Sequence, residues 1–278
     1  MDNIAFDWLN TYMPASLAIW SGQSPYGNSV FYAAPWSAVL LIPFALMPYQ
    51  IGRWSLFAIG LLSFAYTAYK LGAGRLAMII FLTSAAVIGC LNNGNIEWMP
   101  LLGFVMPPWL GLIFVMIKPQ VGIGIAVYWF IEAWRNGGFK QIFKTFTPVA
   151  IAFLTSFWLY GPWLLRFKTT LELSVDNMSI FPNGFFIGLV LLAYSIHRNE
   201  KRAAMASGPF LSPYVLQFTW SVPLLALIND TWLLFVAWLG LWIPIVMRIL
   251  NGWGTMCLQR GGPDGIRTRD LGLDRAAC

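Results

Sequence analysis

Lys118 interrupts the apolar run from Leu112 to Ile123, and Pro119 and Gln120 follow it directly. A cation inside hydrocarbon-like sequence is costly and is kept for a partner or a pathway. Pro119 breaks the local helix ladder and leaves a carbonyl free, which membrane-depth backbone tolerates under protein or water. A charged, broken helix of this kind predicts a polar site inside an integral membrane protein. The plainer alternatives for Lys118 are a snorkelling lysine near a helix end and a buried structural pair with Glu97. Gln120 adds a hydrogen-bond donor, for a ligand or for a neighbouring helix. Asn95 and Glu97 open a short apolar segment. They either position a substrate or cap a helix and pair with its dipole. Asp7, taken alone, reads as a solvated loop carboxylate. A divalent ion shared by Asp7 and Glu97 has weak support, because two carboxylates at unknown separation are not a metal site.

The elements that must carry these residues are apolar. Hydrophobic residues are 58% of the 278 and charged residues 10%, with a mean hydropathy of +0.66. A soluble domain carries roughly a quarter charged residues, so this chain cannot cover a water-facing surface. The 15 Trp and 21 Phe suit interface belts and lipid-facing packing. The net charge of +6 is not a nucleic-acid signal, because the cations lie at the ends of apolar segments and in the C-terminal tail. Cys90, Cys257 and Cys278 have neither metal nor redox spacing. The acidic start Met1–Asp7 lacks the basic region of a cleavable signal peptide.

The expected fold is all-α, a polytopic membrane helical bundle of about eight to nine apolar segments, some short or re-entrant. Residues 1–33 read as an external interfacial helix and loop. A transmembrane domain follows over 34–250. Its apolar segments fall at 34–48, 54–70, 76–92, 96–107, 108–134, 146–165, 184–197, 209–228 and 231–250. The basic clusters Lys70/Arg75, Arg135/Lys140/Lys144, Arg198/Lys201/Arg202 and Arg248 mark the cytoplasmic side. The loop over 166–183, with Glu172, Asp176 and Asn177, and the stretch Asn92–Glu97 then fall outside. This parity requires 34–48 to be re-entrant, and Pro35, Pro43 and Pro48 permit it. Segment 108–134 is either a pair of half-helices, with Lys118 near the outer surface, or one tilted helix with Lys118 at mid-depth. The polar tail 251–278 follows no membrane pattern. Codons GGG ATT CGA ACC CG, which would encode Gly265–Arg269, are the reverse complement of a transfer-RNA T-arm. The tail therefore reads as non-native read-through.

Several stretches in order carry a resemblance. They are Asp7-Trp8, Tyr12 and Gly22-Gln23-Ser24-Pro25-Tyr26; Tyr32-Ala33-Ala34-Pro35; Asn93-Gly94-Asn95; Lys118-Pro119-Gln120; and Leu211-Ser212-Pro213-Tyr214. Over about residues 5–250 they resemble the glycosyltransferase 87 family of the membrane GT-C class, which includes bacterial mannosyltransferases using polyprenol-phosphate sugars. The chain starts directly in the family's Asp-bearing loop and is shorter at its C-terminus, as a truncated member would be.

The resemblance implies an inverting transfer of a hexose, mannose-like, from a polyprenyl-phosphate donor to a lipid or glycan acceptor. The reaction would take place on the external face of a bacterial plasma membrane, without a cofactor. Asp7 would be the general base, because a sugar hydroxyl is a poor nucleophile and a positioned carboxylate gives roughly 10²–10⁴-fold. Lys118 would bind the lipid phosphate as a point charge. Gln120, Asn95, Glu97, Tyr12, Tyr26, Ser212 and Tyr214 would contact substrate, and Trp8 would pack on a sugar face or anchor at the interface. His197, the single histidine, reads as interfacial. Two other classes remain open: a transporter or flippase for a lipid-linked or anionic substrate, and an inactive fragment of a glycosyltransferase.

Overall fold

The first helical stretch begins at Phe6, passes through a π-helical turn (Trp8–Tyr12) and continues as α1 (Met13–Trp20). The computed structural model describes residues 5–27, 30–166 and 177–260, except the side chains of 166, 248–249 and 251–260. Lys168, Glu172, Asp176 and the tail from 261 onward lie outside these residues. Every described element is helical. After α1 come α2 (Pro35–Ala45), α3 (Tyr49–Lys70), α4 (Arg75–Leu82), α5 (Ala85–Asn93), α6 (Trp98–Gly103), α7 (Pro108–Val115) and α8 (Pro119–Tyr160). Further along the chain lie α9 (Phe185–Arg198), α10 (Lys201–Leu211), α11 (Ser221–Ala226) and α12 (Thr231–Arg260). Because α12 runs to Arg260, the expected boundary at 250 falls inside a helix rather than at an element end.

Two helices, α3 and α8, are long and apolar enough to cross a membrane. A third span arises if α4 and α5 are counted as one, bent by 52°. Most of the other apolar segments fold as shorter helices. The 11 residues of α2 rise only about 16 Å, roughly half a hydrocarbon core.

At 42 residues, α8 would measure about 63 Å if straight, twice a bilayer core. It is not straight. Gly137 and Gly138 leave helical geometry, and Gly138 has φ +58°, a left-handed conformation suited to glycine. Phe130 and Phe146 meet with ring centroids 5.8 Å apart, although sixteen residues of straight helix would separate them by about 24 Å. The chain therefore folds back on itself. Its hairpin tip carries Arg135, Lys140 and Lys144, all exposed, which is where the basic loop between segments 108–134 and 146–165 was expected.

Segment 108–134 is broken, as its proline predicts. α7 ends at Val115, Lys118 is extended (φ −126°, ψ 97°), and α8 restarts at Pro119. A residue before proline is driven to this conformation. The carbonyls freed at the break are satisfied from α2: the Trp36 indole donates to Ile113 O at 2.9 Å, and Ala34 N donates to Ile117 O at 3.0 Å. The bend between α4 and α5 is treated similarly, with the indoles of Trp238 and Trp242 donating to Thr83 O. Apolar surroundings supply no water for such groups, so protein donors must reach them.

Candidate functional site

The turn Asn92–Asn95 meets the start of the first helical stretch. Ala5 N donates to Asn92 O at 2.8 Å. Gly94 closes α5 in a left-handed conformation (φ +66°), and a Cβ on it would lie 2.6 Å from the Trp8 Cβ. Glycine is required there on both counts. Trp8 is fully buried against this turn. It is thus a packing residue, in contrast to the expected sugar-face or interface role.

This docking brings the charged residues together. Asn95 Nδ2 donates to Asp7 Oδ2 at 2.6 Å, and Asn95 Oδ1 accepts from Lys118 Nζ at 2.7 Å and from Glu97 N at 3.2 Å. Lys118 Nζ also forms an ion pair with Glu97 Oε2. Four side chains thus form one chain, Asp7–Asn95–Lys118–Glu97. Lys118, Asn95 and Glu97 are all buried, and the second Glu97 oxygen has no hydrogen-bond partner. The pairing of Lys118 with Glu97, one of the plainer sequence readings, is present; Asn95 does not cap α6, whose N-cap is Glu97, but closes a turn onto Glu97 N.

Asp7 sits at the exposed end of the network. Burial raises its carboxyl above its ordinary pKa, against the Asn95 hydrogen bond, the Lys118 charge and the Asn93 amide. Glu97 adds a smaller push upward. Tyr12 is buried beside the same charges, and burial holds its hydroxyl well above its usual value.

Asp7 also lines a cavity of about 830 Å³, the size of a small-molecule site. Three amides face this cavity: Asn93 from α5, Asn177 before α9 and Gln217 before α11. Phe6, Phe218 and Trp242 supply aromatic surface. No Lys or Arg lines the cavity among the described residues. The arrangement can hold a neutral hydroxylated group beside a carboxylate, by amide hydrogen bonds and ring contacts.

Most residues expected to touch substrate lie elsewhere. Lys118, Asn95, Glu97 and Tyr12 stand behind Asp7 and off the cavity wall. With its ammonium held by Glu97 and Asn95, Lys118 does not present a free charge to a lipid phosphate. Gln120 makes no side-chain hydrogen bond among the described residues and stays outside the network. Tyr26 is buried, donates to Ala33 O at 2.9 Å and stacks on Trp163 at 5.9 Å, so it fixes the loop before α2.

Ser212 and Tyr214 shape the cavity indirectly. Ser212 Oγ closes a turn on Tyr214, accepting from its N and donating to its O. That turn holds the segment before α9 through Asn177 Nδ2 to Pro213 O and Ser179 Oγ to Ser212 O. Asp7 and Glu97 turn to Asn95 and Lys118 respectively, so they do not form a shared ion site in this arrangement. No group of three His, Cys, Asp or Glu is assembled among the described residues.

Sequence reasoning missed Gln217, Ser179 and Trp242. They come from segments without a shared pattern, and the one signal was a polar Gln217 within an apolar run. Comparison with known proteins returned no matching family model, curated protein or solved structure.

Proposed function

We propose that this chain is a multi-pass membrane glycosyltransferase of the GT-C kind, resembling the glycosyltransferase 87 family. It would transfer a hexose, mannose-like, from a polyprenyl-phosphate donor to a lipid or glycan acceptor. The observation that carries this reading is Asp7. Its half-buried carboxylate lines a cavity furnished with amides and aromatic rings, and a buried polar chain holds it from behind. Asp7 takes the proton of the acceptor hydroxyl as that oxygen attacks the anomeric carbon. The bond from that carbon to the phosphate oxygen breaks, and the lipid phosphate leaves with the electron pair. Lys118 acts on this step through Asn95, as a buried cation behind the base, rather than as a phosphate ligand. The amides of Asn93, Asn177 and Gln217 are the donors for substrate oxygens.

A second reading has one observation in its favour. A short helix, α7, and the start of α8 meet at a break whose Lys118 sits in a buried ion pair, as the broken helices at the binding sites of transporters do. One reconstitution separates the two. The chain is placed in liposomes with polyprenyl-phosphate mannose and a lipid acceptor, and transfer and lipid movement are both measured. Sugar transfer that Asp7→Asn abolishes, with the fold retained, is the expected result. Transfer unchanged by Asp7→Asn removes the base assignment, and movement of intact lipid without transfer selects the transporter.

A further inference from the structure

We propose that Asn95 is the positioning residue of Asp7. Its amide fixes the carboxylate on the cavity wall and links it to the buried Lys118–Glu97 pair. Asn95 is buried and off the cavity wall, so it does not touch a substrate held there. Its amide has one possible orientation. Oδ1 faces two donors, Lys118 Nζ and Glu97 N, which leaves Nδ2 for Asp7. The backbone allows no drift, because Asn95 N donates to Cys90 O at 2.9 Å and Gly94 is pinned under Trp8. A cation on the oxygen polarises the amide and strengthens its N–H toward the carboxylate. Asn95 thus favours the charged form of Asp7, against the burial that opposes it.

The groups facing Asp7 are Asn95, Lys118, Glu97 and, from α5, Asn93, and the buried Tyr12 and Cys90 also lie within its field. Lys118 and Glu97 act in opposite senses, and Lys118 has the stronger influence. The catalytic meaning of Asn95 rests on the proposed function, so the test reads the carboxyl and not sugar transfer. The full chain, reconstituted in liposomes, is treated with a hydrophobic carbodiimide from acid to alkaline pH. Such a reagent modifies protonated carboxyls, and the Asp7 peptide is quantified by mass spectrometry.

In Asn95→Leu the midpoint of Asp7 labelling moves to higher pH. At the wild-type midpoint labelling rises toward a ceiling of about twofold, because half the carboxyls are already protonated there. The double variant Lys118→Met/Glu97→Gln keeps Asn95 but removes the charges behind it, and its midpoint also moves up. Should Asn95→Leu fail to fold, Asn95→Ala, which removes the same amide without adding bulk, is read in its place. A residue with a packing role alone leaves the midpoint in place once the fold is intact, and an unchanged or lowered midpoint in the folded variants overturns the proposal.

Discussion

Asp7 combines two opposed demands. A base must be ionised to accept a proton, yet its surroundings favour the protonated form. Activity is therefore expected to rise with pH through a midpoint above the ordinary carboxylate value, read from a pH profile of kcat/KM. The sign for stability is the reverse. A carboxyl whose folded pKa is raised contributes stability below its unfolded pKa, and that contribution is lost as pH rises through the folded value. Asp7→Asn copies the protonated form and can still accept from Asn95. It should raise the unfolding temperature at neutral pH while lowering transfer roughly 10²–10⁴-fold. An unfolding temperature lowered by Asp7→Asn would contradict the buried-carboxyl account.

The Lys118–Glu97 pair behaves differently, because both partners are buried. Lys118→Met strands an unpaired carboxylate and should cost about 3–5 kcal/mol, whereas Lys118→Met/Glu97→Gln should recover most of that loss. Denaturant titration of both proteins checks the difference. The pair was legible in the sequence as one of the two plainer readings for Lys118. Its link to Asp7 was not, because the bridging Asn95 lies 88 residues from Asp7.

Short turns between helices do the positioning. The left-handed Gly94 lets α5 end where Trp8 can pack on it, and that contact sets Asp7 beside Asn95. Gly94→Ala places a Cβ in a disfavoured conformation, costing roughly 1–2 kcal/mol before the contact with Trp8 is counted. Thermal unfolding should show a larger loss than that, together with faster carbodiimide labelling of Asp7 as its contact with Asn95 loosens. The break before Pro119 was visible in the sequence, since proline forbids the ladder. The donors that satisfy it were not. Trp36 and Ala34 reach carbonyls about eighty residues away, and nothing in their local pattern marks them for it.

Taken as one body, the chain places its network and its basic tip at opposite ends of one helix. Residues 119–136 of α8 rise about 27 Å, close to the thickness of a hydrocarbon core. The return arm brings Tyr160 back to Tyr26, with ring centroids 6.2 Å apart. In a bilayer, the loop around Gln23 and the tip around Asn136 should therefore face opposite compartments. Gln23→Cys and Asn136→Cys, each with Cys257 and Cys278 replaced by Ser, test this. An impermeant maleimide should label one in right-side-out vesicles and the other in inverted vesicles. Labelling of both from one side would exclude the arrangement. Cys90 is buried and gives little background.

Composition pointed to an apolar chain in which backbone groups pair internally, and every described element is indeed helical. Pro119 added the break at Lys118, while the break at Gly137 and Gly138 emerged only in the structure. The effects of composition and of Pro119 are local, and so they can be read along the chain. The number of long helices, the retreat of Lys118 behind Asp7 and the cavity shared by Asn93, Asn177 and Gln217 came from the three-dimensional fold. Each depends on segments far apart in sequence meeting in space, and no local pattern encodes which segments will meet.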